Sequence, residues 1–547
     1  MGRLALTVVD TAAIQDYVFS SNNLKQNVGA SELVHRVTHE WVYEGLTEVG
    51  LTNIILEKKE IVVNAEFIND LQIERDGLVS ELVYAGGGNA VILFCCLEKA
   101  KEFAGRLTRR ALLEAPGLQV VVKHGEFDWQ NDPLSKKVRE VIGKLSAKKA
   151  DRPVSAPLLG LGVTADCQFT GLPAVCIEAK EERRISAAVR AKLKAFDGAH
   201  SRLLKLLTLD DGKERYRIPK EFDDFGLARG RSSYIAVAHA DGNGIGSRVN
   251  AIAEQYPEPG DNRPYILAMR RFSNSVNEAG EKALKATVDC LKGSIVESDG
   301  AKKVAGIVEL KENYLPFRPI VFGGDDTTFV CEGRLGLTLA QKYLSILSGQ
   351  PLSDNGRPLS ARAGVAVVKA HYPFAGAYRL AEELAQSAKK YIKEMERESG
   401  ESEVSAMDWH FAVGGLLRPL DLIRRQDYTV DNRTINMRPV RLGGVKGTDW
   451  QAWDFFAFMV GEFKKDQWSS RKNKLKGLQD ALRRGKEAVE QLRLIYQLPL
   501  LPAVPGNDAS ARNGYVDRRC TCYDVLEALE FFVPLEVADH ANNVAEV

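Results

Sequence analysis

The chain has 547 residues, too many for one hydrophobic core, and the usual domain size predicts about three or four packed units. A composition of 45% hydrophobic and 27% charged residues excludes a disordered or collagenous chain. With 74 Lys+Arg against 73 Asp+Glu the net charge is +1, so any contact with nucleic acid requires a local basic patch rather than a global field.

The first apolar stretch, Leu4 to Val9, is cut off by Asp10 and is too short for a secretory signal. No later run reaches the roughly 18 apolar residues of a membrane span. The 8 cysteines are scattered and none forms a Cys-x-x-Cys pair, so a reducing cytoplasm is the expected location and disulfides are not expected.

In chain order, Leu6 to Asp10 reads as an apolar strand ending in an acid, followed by a helical stretch. Val83-Tyr84-Ala85-Gly86-Gly87-Gly88-Asn89, running into Ala90 to Phe94, reads as a β-hairpin whose glycines can take positive φ. A Pro/Gly-punctuated region from Asp151 to Pro173 and a charged helical run from Glu178 to Leu207 then form a separate inserted module. The first pattern returns with the strand Tyr234 to Asp241, a helical stretch, and the hairpin Ile320-Val321-Phe322-Gly323-Gly324-Asp325-Asp326 running into Thr327 to Val330. Asp10 precedes Gly86 by 76 positions and Asp241 precedes Gly323 by 82, so the chain carries a duplicated strand-helix-hairpin unit. Ala377, Leu380, Ala381, Leu384, Ala388 and Ile392 place a helix over Ala375 to Arg397, with further strands or loops at Ser405 to Gly415 and Arg438 to Gly444. From Trp450 the pattern is helical, broken by a loop from Leu498 to Asn513. The expected fold class is α/β (α+β) with tandem palm, ferredoxin-like units: 1–124, an inserted module 125–231, a second palm 232–449 and a helical domain 450–547.

The second hairpin carries the strongest chemical signal. Asp325 and Asp326 are adjacent like charges at a Gly-Gly turn, an arrangement that repulsion disfavours and a divalent cation would relieve. In a palm-type sheet such a hairpin lies beside the strand ending at Asp241, so three carboxylates could converge on Mg²⁺ or Mn²⁺, including a two-metal site. Turn composition alone would equally place these residues in a solvated loop. Asp241-Gly242-Asn243-Gly244-Ile245-Gly246-Ser247 follows a strand and precedes a helix, where backbone N–H groups can hold a triphosphate; a plain strand-helix turn is the other reading. It is not a dinucleotide fingerprint, because the glycines run G-x-G-x-G, and no Walker A motif occurs.

These two motifs together, His239-Ala240-Asp241-Gly242-Asn243-Gly244 and Phe322-Gly323-Gly324-Asp325-Asp326, resemble the palm polymerase/cyclase of the large subunit of type III CRISPR effector complexes, itself related to GGDEF nucleotide cyclases. Ile14 to Phe19, Gly29-Ala30-Ser31, Ala363 to Ala366 with His371-Tyr372-Pro373, Ala388-Lys389-Lys390, Met407 to Phe411 and Arg438-Pro439 follow in the family's order. The resemblance implies a metal-dependent synthase of cyclic oligoadenylates from ATP, with other effector subunits and guide and target RNA as partners. It implies that Asp241, Asp325 and Asp326 bind metal and carry catalysis, and that Gly323 and Gly324 shape the hairpin. Gly242, Asn243, Gly244 and Gly246 would meet the nucleotide, Lys389 would reach the triphosphate, and Ser273 would fall near the adenine.

The departures are informative. No His-Asp dipeptide occurs, so the family's HD nuclease and its DNA cleavage are not expected. Gly86-Gly87-Gly88-Asn89 lacks both hairpin acids, so the first palm should support the nucleotide pocket without catalysing. Cys167 and Cys176 have no second pair nearby, and a structural zinc needs about four ligands, so zinc is not expected. His35 and His39 lie one helical turn apart without a third ligand and read as neutral helix surface. Lys464, Lys465, Arg471, Lys472, Lys474, Lys476, Arg483, Arg484 and Lys486 make the start of the last domain basic, either as a solvated face or as contact with RNA or an acidic subunit; Trp468 within it could stack on a base or anchor the core. The rival functions are a GGDEF-like cyclic dinucleotide synthase and a non-catalytic scaffold that binds guide RNA and partner proteins.

Overall fold

The computed structural model describes residues 3–57, 60–61, 70–151, 160–179, 182–210, 215–225, 233–401, 403–414, 418–443 and 450–535. The expected element ends at Gly415 and Gly444, the domain borders at 231–232 and 449, and the tail from 536 lie outside these residues. Among the described residues no helix is long and apolar enough to cross a membrane.

The first sheet is formed by β1 (Leu4–Ala12), β2 (Ser80–Gly86), β3 (Asn89–Phe94) and β4 (Gln119–Phe127), in the spatial order β2-β3-β1-β4. Helices α1 (Ile14–Phe19) and α2 (Leu24–Thr38) follow β1, α3 (Leu97–Glu114) follows the hairpin, and α4 (Leu134–Ala150) follows β4. The second sheet repeats this plan with β5 (Tyr234–Gly242), β6 (Phe317–Val321), β7 (Asp326–Glu332) and β8 (Ala361–Lys369) in the order β6-β7-β5-β8, extended by β9 (Ser405–Ala412) and β10 (Val440–Leu442). β8 and β9 pair in parallel, joined by the long helix Phe374–Ser399 that ends at Gly400 with φ +69°.

The two central strands are apolar almost throughout because both of their faces are covered. In β1, Leu4, Leu6 and Val8 enter one buried cluster while Ala5 and Val9 enter another. In β5, Ala236, Ala238 and Ala240 join the first cluster and Ile235 and Val237 the second. Each cluster therefore runs across both sheets and binds the two palms into one body.

The charged run predicted as helical from Glu178 begins instead as a small hairpin, Cys176–Glu178 paired with Arg183–Ile185. The helix starts only at Ala187, where the Ser186 hydroxyl accepts from the Val189 N–H at 3.4 Å, and runs to Leu206. The second palm's crossing helix, Asn262–Gly293, lies against β2 of the first palm. Its Arg270 donates to the carbonyls of Leu82 and, at 3.1 Å, Val83, and pairs with fully buried Glu81 at 2.7 Å. Arg263 on the same helix also pairs with Glu81, at 2.6 Å. The segment after Trp450 contains the helices Trp453–Lys464, Lys472–Arg484 and Lys486–Tyr496, and also a short hairpin, Tyr515–Val516 with Arg519–Cys520, that pairs with Arg433–Thr434. Trp468 is fully buried with its ring 5.1 Å from that of Phe463, so it anchors this core and offers no stacking surface.

Candidate functional site

The end of β5 sets the geometry. Asp241 lies directly opposite Asp326 of β7 on one side and Arg362 of β8 on the other. The strand then turns through Gly242, Asn243 and Gly244 into the helix Ile245–Gln255. Gly244 takes φ +72° at the helix start. The Gly242 N–H donates to the Asp325 carbonyl at 3.1 Å, and a Cβ on Gly242 would stand 2.8 Å from the Asp325 Cβ, so the turn and the hairpin require each other. Asn243 is fixed by its N–H to the Ser360 carbonyl at 2.8 Å.

The hairpin tip takes φ +111° at Gly323 and +75° at Gly324, a region costly for side-chain-bearing residues. It rests on the crossing helix at Gly280, where a Cβ would meet the Gly324 carbonyl oxygen at 2.4 Å. Farther along this helix, Ser273 donates to the Ala85 carbonyl at 3.3 Å at the base of the first hairpin. Ser273 lines neither of the two cavities around the acids; it holds the hairpin whose tip, Gly87-Gly88, does.

Of those two cavities, one, of about 690 Å³, is lined by Asp241, the backbone turn Gly242 to Ser247, Asp325, Arg362, Lys389 and Lys393. The other, of about 470 Å³, lies between the palms and is lined by Gly323, Asp325, Asp326, Gly87, Gly88, His35, His39, Arg202 and Glu281. Asp325 borders both, so the acidic hairpin is the wall between them. Of the residues expected from the sequence, Asp241, Gly242, Asn243, Gly244, Gly246 and Lys389 share the first cavity, whereas Gly323 and Asp326 face the second.

The charges around the hairpin are unbalanced. Loss of surrounding water, repulsion from Asp325 and repulsion from Glu382 push the Asp326 carboxyl up to about 7. Asp326 is nevertheless an exposed residue on the cleft, and solvent there screens part of that shift. Burial likewise raises Asp325. Lys389 is held below its ordinary value, chiefly by the positive charge of Arg362.

His35 and His39 prove to line the inter-palm cleft, with rings stacked at 4.6 Å. Burial lowers both, His39 to about 4, so they face the cleft as neutral imidazoles. Arg202, whose guanidinium covers the Phe322 ring at 4.4 Å and pairs with Glu32 at 3.0 Å, brings a cation to the cleft from the inserted module. Sequence spacing gave no signal for Arg202, Lys393 or Arg362; only strand register and helix packing bring them here.

The donor set suits a hard divalent cation: carboxylate oxygens, two of them on adjacent residues whose raised proton affinity a cation would reverse. Among the described residues, however, no group of three or more His, Cys, Asp or Glu is arranged to hold a metal ion, and the Asp241 carboxylate is engaged by Arg362. Cys167 and Cys176 pack in a small apolar cluster with Ile185, Val189 and Phe169.

No protein-family model matches the chain, and no curated protein matches its sequence. Its fold is that of solved Csm1 structures. A Csm1–Csm4 cassette in complex with cA4 aligns over 96% of this chain and 69% of its own, with TM-score 0.52 and 12% identity. A cassette in complex with AMPPNP aligns over 96% and 70%, with TM-score 0.52 and 14% identity. Csm1 of T. onnurineus aligns over 96% and 70%, with TM-score 0.52 and 13% identity. What the chain shares with them at these identities is the mixed α/β architecture with palm sheets.

Proposed function

We propose that this chain is a metal-dependent nucleotidyltransferase that joins ATP into cyclic oligoadenylates within an RNA-guided, type III CRISPR-like complex. The observation that carries this reading is the convergence of Asp241, Asp325, the Gly242–Ser247 turn and Lys389 on one cavity, with the hairpin acids walling it from a second cavity between the palms. Two sites that share one acidic hairpin as a border suit the joining of one nucleotide to the next, which needs the acceptor hydroxyl and the donor phosphate side by side. The Csm1 structures with AMPPNP and cA4 share this fold and support the substrate class. The cassette structures likewise support a Csm4-like partner, and guide and target RNA belong to the same reading.

In this reading the first cavity takes the donor triphosphate. Backbone N–H groups at the start of the Ile245–Gln255 helix, Lys389 and Lys393 bind its oxygens and spread the charge that develops as pyrophosphate leaves. Asp241, Asp325 and Asp326 would hold Mg²⁺ or Mn²⁺, which supplies charge neutralisation and a more acidic acceptor 3′-hydroxyl. The second cavity takes the acceptor, bordered by the first palm's Gly87-Gly88 and by Arg202.

The decisive experiment is mass spectrometry of products formed from ATP with Mg²⁺ or Mn²⁺, with and without co-purifying RNA and partners, for the native chain and the Asp325→Asn/Asp326→Asn variant. Cyclic or linear oligoadenylates that disappear in the variant support the synthase. Products from GTP in their place indicate a cyclic dinucleotide synthase. One observation favours the scaffold reading, the engagement of Asp241 by Arg362, and absence of product from a sample that binds RNA and partners would establish it.

A further inference from the structure

Arg362 belongs to no motif, yet it bonds to three successive residues of the acidic turn. It is buried on β8 opposite Asp241. Its guanidinium pairs with the Asp241 carboxylate, and its Nη1 donates to the Gly242 carbonyl at 3.1 Å and to Asn243 Oδ1 at 2.9 Å. Its Nε is buried and has no hydrogen-bond partner among the described residues. The residue also lines the larger cavity beside Lys389 and Lys393.

Two consequences follow from these contacts. A divalent cation approaching Asp241 alone meets a carboxylate already neutralised by a guanidinium, and must displace that buried partner to bind there. A triphosphate is attracted by Arg362, Lys389 and Lys393, and a planar guanidinium fork fits phosphate oxygens as well as it fits a carboxylate.

We propose that Arg362 is a triphosphate-binding residue that serves as the counter-ion of Asp241 until a nucleotide arrives, so that a divalent cation reaches Asp241 only together with the triphosphate. This rests on the reading of the larger cavity as a nucleotide site and adds to it an order of assembly. No bond is made or broken; one ion pair is exchanged for another.

The test needs no turnover. Binding of Mn²⁺ alone is followed by electron paramagnetic resonance, and binding of adenosine 5′-(α,β-methylene)triphosphate in EDTA is followed by calorimetry, using the full chain, Arg362→Gln, Arg362→Lys and Arg362→Gln/Asp241→Asn. The expected result is that Arg362→Gln binds Mn²⁺ at least about 10-fold more tightly than the native chain, that Asp241→Asn abolishes this gain, and that Arg362→Gln binds the analogue several-fold more weakly. Arg362→Lys keeps the charge without the fork, so it should exclude Mn²⁺ as the native chain does yet lose analogue affinity; it carries the test if the glutamine variant fails to fold. Equal Mn²⁺ affinity in the native chain and Arg362→Gln, or analogue binding indifferent to both substitutions, overturns the inference while leaving the nucleotide site standing. Failure of the native chain to bind the analogue at all overturns both.

Discussion

Asp241 and Asp326 stand directly opposite each other across one antiparallel strand pair, and Asp10 and Asn89 hold the same relationship in the first sheet. The strand orders agree as well, so the two palms are copies of one plan. In each copy the central aspartate has a basic partner, Lys149 for Asp10 and Arg362 for Asp241. The copies differ at the hairpin: the first closes with a two-residue Gly87-Gly88 turn, whereas the second keeps a longer loop, Phe322 to Asp325, that presents its acids to both cavities.

The raised affinity of Asp326 for a proton makes its charge a cost to the folded state. Its folded value, about 7, lies above the unfolded 3.8, so the neutral form favours folding below about pH 4 and that contribution is lost as pH rises through 7. Asp326→Asn should therefore raise the melting temperature at pH 8, with the difference vanishing near pH 3.5. Calorimetric scans of both proteins across this range check it, and a variant less stable at pH 8 would contradict it.

The hairpin's seat on the crossing helix is tight enough to test by one methyl group. Gly280→Ala places a Cβ against the Gly324 carbonyl, so either helix or hairpin must shift. We expect a stability loss of about 1–3 kcal/mol and, under the proposed function, a fall in product formation of at least about 10-fold from misplacement alone. Urea unfolding and product analysis of the same preparation separate the two effects.

Glu81 is fully buried between Arg263 and Arg270 and ties the second palm's helix to the first palm's sheet. Glu81→Gln removes the charge that Arg263 and Arg270 share, while Arg263 keeps its pair with Glu74, and should cost about 1.5–3 kcal/mol. Glu81→Leu with Arg270→Met should recover most of that loss. A double-mutant cycle by chemical denaturation measures the coupling, and additive losses would rule it out.

Lys389 and Lys393 lie one helical turn apart on the cavity wall. Replacing both with alanine should weaken binding of a non-reactive ATP analogue by about 10-fold or more at low salt, and by less at high salt. Calorimetry at two ionic strengths reads this directly, and unchanged affinity would move the triphosphate elsewhere.

Trp468→Ala should destabilise the chain by about 3–5 kcal/mol, because the ring is a fully buried anchor. RNA binding measured under conditions where the variant remains folded should be unaffected.

Much of this was legible in the sequence because local rules govern it. The paired apolar strands ending in acids, the Gly-Gly hairpins and the glycine-rich turn each follow from backbone sterics and alternating burial, which act over a few residues. The duplicated spacing then predicted two copies of one strand-helix-hairpin unit, and the family resemblance implied that both are palms. The charged run after Glu178 was misread because its first residues favour a hairpin that ends at the Ser186 cap, and composition does not distinguish the two. His35 and His39 read as surface because periodicity identifies a helix face without identifying what packs against it; here the face borders a cleft. Arg362, Lys393 and Arg202 were beyond reach for the same reason. Strand register decided that Arg362 meets Asp241, and inter-palm packing decided that Asp325 borders two cavities, since both are relations between segments far apart in the chain. The sequence by itself determined the acidic strand ends, the Gly-Gly hairpins and the glycine-rich turn, because backbone sterics act locally, and tertiary structure decided which charges neutralise one another around them.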